Sequence, residues 1–517
     1  MERNTTIASV LLLVSSSVNA QAPPSIVWQH NYGGPQVEHA NGVVATADGG
    51  FVFAGMSYSN VGDITGANGA CDMWVVKTDD GGDILWQHAI GGSGADVGEA
   101  IVQTPSGDLI VVGSSASIDS GIVDNNGGSD FFVVKLNSSG DTLWRKCFGG
   151  SGEDLALDVT LTNDGGCVVV GTAEVASGDV TYSYGLGDYW VLKLDGNGSV
   201  VWDRTLGGSS TDVATAVDAC SDGGFIVCGY TTSEDWDVTG LHGLVDFWVV
   251  KLSGNGGIEW KRALGGGESD YAYSVRQTSD GGYVVVGESE SATGDVFGNL
   301  GSTDVWLVKL STIGDVVWQR CLGGTDGDRG KDVQVLDNGD LLIIGSTDSH
   351  DGFVEGQHGG GDGWVARLNS YGVPIWQRAC GGAASDELVS ACLTNDAGYV
   401  VVGSAISNDG DLTGNHGIYD CWSIRFGPDL VGIEEQASIN FSIAPNPTSD
   451  VIRIQFAEVP SRSQVRVFNA AGVLVHNESS GLQGDRLTID VRSWPAGVYA
   501  LRVDVGDVTR TLRFVKE

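Results

Sequence analysis

The chain has 517 residues and carries 27 Lys and Arg against 66 Asp and Glu, a formal charge of −39. That balance excludes nucleic acid and anionic membrane surfaces as partners, because both are held through Lys and Arg. Its 79 glycines and 10 prolines fall at fixed intervals between apolar runs, which reads as turns between strands rather than disorder.

Residues 1–22 are predicted to be a secretory signal peptide. Arg3 precedes an apolar run from Ile7 to Val14, and small residues follow up to Ala20-Gln21-Ala22. No stretch of the chain reaches 18 apolar residues, so no membrane span is expected. Nine cysteines show no paired spacing. They are expected to be small buried hydrophobes, and a zinc site is not.

From residue 23 to 427 a unit of 58 residues repeats seven times. Trp28, Trp86, Trp144, Trp202, Trp260, Trp318 and Trp376 keep that step. So do Trp74, Phe132, Trp190, Trp248, Trp306, Trp364 and Trp422, each two residues after an aspartate. Gly-Gly pairs, from 33–34 to 381–382, keep it too. One unit reads as four short strands, A to D. In residues 212–265, VATAVDAC, FIVCGYTTS, DFWVVKLS and IEWKRAL are separated by glycine-rich turns and one longer B–C loop. Four-stranded units in this number predict an all-β seven-bladed β-propeller. The last repeat stops after its C strand at Phe426, whereas the first strand, at 25–32, is an unpartnered D. That strand is expected to complete blade seven and remove an open sheet edge.

The unit D-x-W-V-V-K-L, G-x-I-x-W, G-G, D-G-G-x-x-V-x-G resembles the SBBP-type bacterial β-propeller repeats over roughly residues 25–426. The resemblance implies a fold and leaves function open.

Residues 428–438 read as a linker. Residues 439–517 hold nine basic and eight acidic residues, so nearly all the acidity belongs to the propeller. Short alternating strands (VIRIQF, QVRVFN, LTIDV, GVYALRV) predict a small immunoglobulin-like β-sandwich. This tail resembles the type A sorting domain of type IX secretion. The matching residues are Pro445, Asn446 and Pro447, the turn Ala471-Gly472, Gly497 and Tyr499 before the penultimate strand, and Lys516. The resemblance implies Sec export, the type IX machinery as partner, and release or attachment at the outer cell surface.

No catalytic constellation stands out: H-E-x-x-H is absent and no phosphate-cradling loop leads into a helix. Two acidic series are the candidate cation ligands. Glu38, Asp96, Asp154, Asp212, Asp270, Asp328 and Asp386 follow each Gly-Gly, and are expected to ring one mouth of the central channel. Asp237, Asp295 and Asp411, with Asp63 and in part Asp179, lie in the B–C loops. Capping of turns is the competing reading of both series. Calcium, through oxygen ligands, is the candidate cofactor. Trp236 lies outside both tryptophan ladders and is the candidate contact residue. The function expected is a secreted binding or adhesion module for an extracellular polysaccharide or protein. A structural matrix component and an extracellular hydrolase or lyase are the alternatives.

Overall fold

The computed structural model describes residues 22–428, 441–444, 448–456, 463–469, 474–480, 486–505 and 508–516. The expected leader up to residue 21, Pro445, Asn446, Pro447, Ala471-Gly472 and the linker from 429 lie outside the described residues. Two compact units divide at Asp429 and Leu430, and each is described by itself.

The first unit is seven four-stranded antiparallel sheets, and the described residues contain no helix. Blade four shows the pattern: A is Asp212–Ala219, B is Phe225–Thr231, C is Asp246–Leu252 and D is Ile258–Leu264. B and C are apolar on both faces because each is covered by a neighbouring blade, and so they read as unbroken hydrophobic runs. Each A strand touches the next around the ring, and Glu38–Ala45 of blade one returns to Asp386–Leu393 of blade seven. The C-strand Trp74, Trp190, Trp248, Trp306, Trp364 and Trp422 are fully buried, as is Phe132. They sit in hydrophobic clusters, each of which spans two adjacent blades. All nine cysteines are free, and eight of them are buried.

The first described strand, Ile26–Tyr32, pairs antiparallel with Asp420–Phe426 and completes blade seven. Trp28 donates its indole N–H to Asp80 O at 2.8 Å, and Tyr32 donates its hydroxyl to Gly82 O at 2.7 Å. The N-terminal strand is thus fastened to blade one as well as to its own blade.

Each A strand also carries a β-bulge at the same repeat position, as at Ala40/Gly42, Ala272/Ser274 and Gly330/Asp332. A bulge re-aims the side chains beside it. Here those side chains line the centre of the ring.

The second unit pairs a three-stranded sheet (Phe441–Ala444, Val451–Phe456, Arg486–Asp490) with a four-stranded one (Leu474–Ser480, Ser463–Asn469, Gly497–Val505, Val508–Lys516). Alternating residues Ile452, Ile454, Val465, Val467, Leu501 and Val503 face one another as its core. Tyr499 is buried with its hydroxyl donated to Pro495 O at 2.7 Å. Lys516 pairs through its backbone with Gly497 and bridges to Thr448. Three of the predicted sorting residues therefore meet at one end of this sheet.

Candidate functional site

The carboxylates after each Gly-Gly do not face a common opening. Glu38, Asp96, Asp154, Asp212, Asp270, Asp328 and Asp386 are all buried. Each accepts the N–H of the second glycine, from 2.6 Å in blade three to 2.9 Å in blade seven. In five blades hydroxyls complete the set, as Ser57 does on Glu38 (3.0 Å) and Ser117 on Asp96 (2.7 Å), and backbone N–H groups do so for Asp154 and Asp386. The expected channel-mouth ring is corrected to seven turn locks, because a carboxylate surrounded by inward N–H and O–H donors turns into its own loop. Among the described residues no group of three or more His, Cys, Asp or Glu is placed to hold a metal ion.

Opposite each lock stands a second buried carboxylate, the one that begins the C strand. A Cβ on Gly33 would lie 2.7 Å from Asp420 Oδ1 and 2.7 Å from Glu38 Oε2, which is why only glycine fits there. The C-strand acids are poorly served. Asp72, Asp130, Asp188, Asp246, Asp304, Asp362 and Asp420 each take a backbone N–H on Oδ2, as Leu300 N gives Asp304 at 2.8 Å, while Oδ1 is buried with no partner. Burial, helped by the facing carboxylate, pushes Asp72 and Asp304 up to about 6. Burial also raises Asp130 to about 6.

The B–C loop acids lie apart from one another, in blades four, five and seven. Asp237 pairs with Lys261 at 3.2 Å. Asp295 lies 4.0 Å from His242 Nε2, whose Nδ1 meets Asp246 at 2.9 Å. Asp411 lies 3.9 Å from both His358 Nε2 and Arg378. The backbone N–H of each of the three loop acids bonds the first glycine of the nearest Gly-Gly.

Trp236 is 69 % exposed with φ +53°. At each whole number of repeats in either direction its place is taken by Gly62, Ser120, Gly178, Gly294, Gly352 and Gly410, all with positive φ. A bulky side chain in the left-handed region is a costly outlier, by roughly 1–3 kcal/mol. Trp236 also joins two tyrosines of the preceding B–C loop. Its ring lies 5.6 Å from Tyr184, which stacks on Tyr182 at 6.5 Å and 22°. Tyr182 is 68 % exposed. Exposed Ile118, Val123, Leu186, Leu244 and Phe297 occupy the B–C loops of blades two to five, and extend an apolar crown on that face.

Sequence reasoning missed the centre of the ring. A cavity of about 300 Å3 is lined by all seven A strands. Its residues break the repeat: Asn41, Glu99, Thr215, Tyr273 and Lys331 occupy the same bulge position in five blades. Asn41 donates to Glu99 Oε2 at 3.0 Å, and burial pushes Glu99 up to about 7. Lys331 Nζ sits 3.7 Å from the Tyr273 ring centroid, and burial pushes its pKa down. Deeper in the strand, Arg276 meets Asp332 at 3.5 Å, with Asp218 and Asp158 also holding its charge. Asp158 and Asp332 each accept an N–H from the next blade, Val217 N at 2.8 Å and Ala391 N at 3.1 Å. The only signal in the sequence was that this column changes residue from blade to blade inside a repeat of fixed length.

Residues 442–517 match the family model of the secretion system C-terminal sorting domain. A domain of this kind addresses its chain to the type IX route, and the protein is a secreted, cell-surface one. No helix among the described residues is long and apolar enough to cross a membrane. No curated protein matches the chain. Among solved structures, a fungal alcohol oxidase of the AA5 family in complex with copper is 12 % identical, with TM-score 0.40, over 96 % of this chain and 100 % of that one. The Pan2 WD40 domain of Neurospora crassa is 10 % identical, with TM-score 0.42, over 76 % and 97 %. BBS1N in complex with ARL6DN is 9 % identical, with TM-score 0.43, over 80 % and 100 %. Likenesses of this size carry no chemistry to this chain.

The address is open to a direct check. Deleting residues 442–517 should leave a folded propeller in the periplasm, with at least a tenfold loss from the cell surface and medium. Equal surface and medium yields with and without the tail would count against the assignment.

Proposed function

We propose that the protein is a surface-displayed binding module that grips an extracellular polysaccharide on its B–C loop face. The Tyr182, Tyr184 and Trp236 cluster carries this reading. Aromatic faces stack on the C–H faces of sugar rings, and rigid exposed rings give contact area at low entropy cost. A structural matrix role would leave the backbone strain at Trp236 without purpose, because six equivalent loops close with Gly or Ser. The charge of −39 points to neutral or cationic glycans and away from polyanionic ones.

Trp236→Gly is the deciding variant. It restores the residue most blades use, so stability should rise by about 1 kcal/mol as the strain is relieved. Binding to insoluble polysaccharides and to a glycan panel should fall at least tenfold. A glycine variant that binds as well as the parent would sink the proposal. Retention on protein-coated surfaces alone would move the ligand to the protein class.

A further inference from the structure

We infer that the central cavity is a second binding site, for a small sugar acid whose carboxylate rests on the Lys331 ammonium. The two cations of the cavity differ in how their charge is met. Arg276 is surrounded by Asp332, Asp218 and Asp158. Lys331 enters none of the described ion pairs, and its ammonium lies over the face of Tyr273. Glu288 and Glu387 act on it only from beyond ion-pair distance, so this half-buried ammonium has room for an incoming anion that Arg276 lacks.

The surroundings specify the rest of the ligand. Glu99 and Lys331 hold equivalent bulge positions in blades two and six, so they stand at one depth on opposite sides of the ring. Glu99 uses Oε2 for Asn41 and keeps Oε1 for a ligand hydroxyl. Ser390, a cavity residue of blade seven, makes no described hydrogen bond and adds a second polar contact. Between these groups Leu157 and Val389 present apolar wall. One cation, hydroxyl-seeking oxygens and apolar spacers match a compact molecule with one carboxylate and several hydroxyls. A volume of about 300 Å3 is at the lower end of ligand pockets, which run from roughly 300 to 1,000 Å3, so a single sugar unit fits and a polymer does not.

The repeat itself supports a selected site. Closing a ring asks only for packing at the inner strands, and packing is served by the same residue in every blade. Five different polar or charged residues at one bulge column serve no shared packing role.

The test uses the full secreted chain and four probes at equal ionic strength: D-gluconate, D-glucuronate, D-glucose and acetate. Calorimetric titration and melting curves should show both sugar acids binding and raising the melting temperature, with glucose and acetate at least tenfold weaker. Lys331→Met should reduce the sugar acids to the level of glucose, while its unliganded melting temperature stays equal or higher. Lys331→Gln serves in its place if the methionine variant does not fold. Ser390→Ala should weaken both acids and keep their advantage over glucose. Trp236→Gly should leave this binding unchanged, which separates the cavity from the loop face. No binding of either acid, equal binding of glucose, or full retention in the Lys331 variant would overturn the inference.

Discussion

The propeller will be most stable in mildly acidic solution and will lose stability as the pH rises through about 6. Asp72, Asp130 and Asp304 carry folded-state values of about 6 against an ordinary 3.8. A raised carboxyl binds its proton more tightly in the native state than in the unfolded chain. Its stabilisation is therefore complete below pH 4 and lost between about 4 and 6. Each site contributes about 1–3 kcal/mol, so the three together shift the melting temperature by on the order of 5 °C. The acid flank has a different origin. Asp48, Asp164 and Asp280 are held at about 2, and their pairs with Lys77, Lys193 and Lys309 are lost only as the pH falls from about 4 towards 2. Asp304→Asn isolates the cause. Its amide supplies permanently the hydrogen that the orphaned Oδ1 lacks, opposite Asp328. The variant should be more stable than the parent at pH 8 by about 1–2 kcal/mol and no more stable at pH 4. A melting temperature that is flat from pH 5 to 8, or an Asn variant without that gain, would refute the argument.

Removing the first strand should be still more damaging. Without residues 22–32, the Asp420–Phe426 strand loses its partner, and buried Trp422, Ile424 and Phe426 lose the cover on one edge. Trp28 and Tyr32, with their bonds to Asp80 and Gly82, go as well. Losing two large aromatics typically costs about 3–5 kcal/mol each, against a net stability of roughly 5–15 kcal/mol. The shortened protein should melt at least about 10 °C lower and associate through the bared edge. A synthetic peptide of residues 23–33 should restore the melting temperature, and a scrambled one should not. Equal melting of the two proteins in calorimetry would show that the ring does not depend on this strand.

The architecture was legible because each blade must meet its neighbours in the same way. Trp248, Asp246 and Gly265 serve interblade packing, so their columns stay constant and announce the period, the strand count and the open D strand at the N-terminus. The cavity was illegible for the converse reason. Glu99, Tyr273 and Lys331 differ from blade to blade, and only the bulge, which has no sequence mark of its own, brings them to one depth. The acids after Gly-Gly were found in sequence but their direction was not. Whether Asp212 faces solvent or Gly208 N depends on hydroxyls such as Ser233, which lies 21 residues further on. Trp236 could be singled out as an irregular tryptophan. That it stands where other blades have glycine becomes telling only once those positions are known to have positive φ.

Ring closure by the N-terminal strand has a mechanical side. A surface protein addressed through its C-terminal domain meets any pull at that end of the chain. Load enters the propeller through Asp420–Phe426, the last strand before the tail. Were the ring left unclosed, this strand would be an outer edge, and force could unzip it one hydrogen bond at a time. With Ile26–Tyr32 on one side and Tyr399–Ala405 on the other, it is an interior strand held by two ladders. Pulling it out means shearing both at once, with Trp422 Nε1 donating to Gln29, 393 residues away in sequence, among the bonds that must break together. The strand that closes the circle is thereby also the clamp on the strand that leads to the tail.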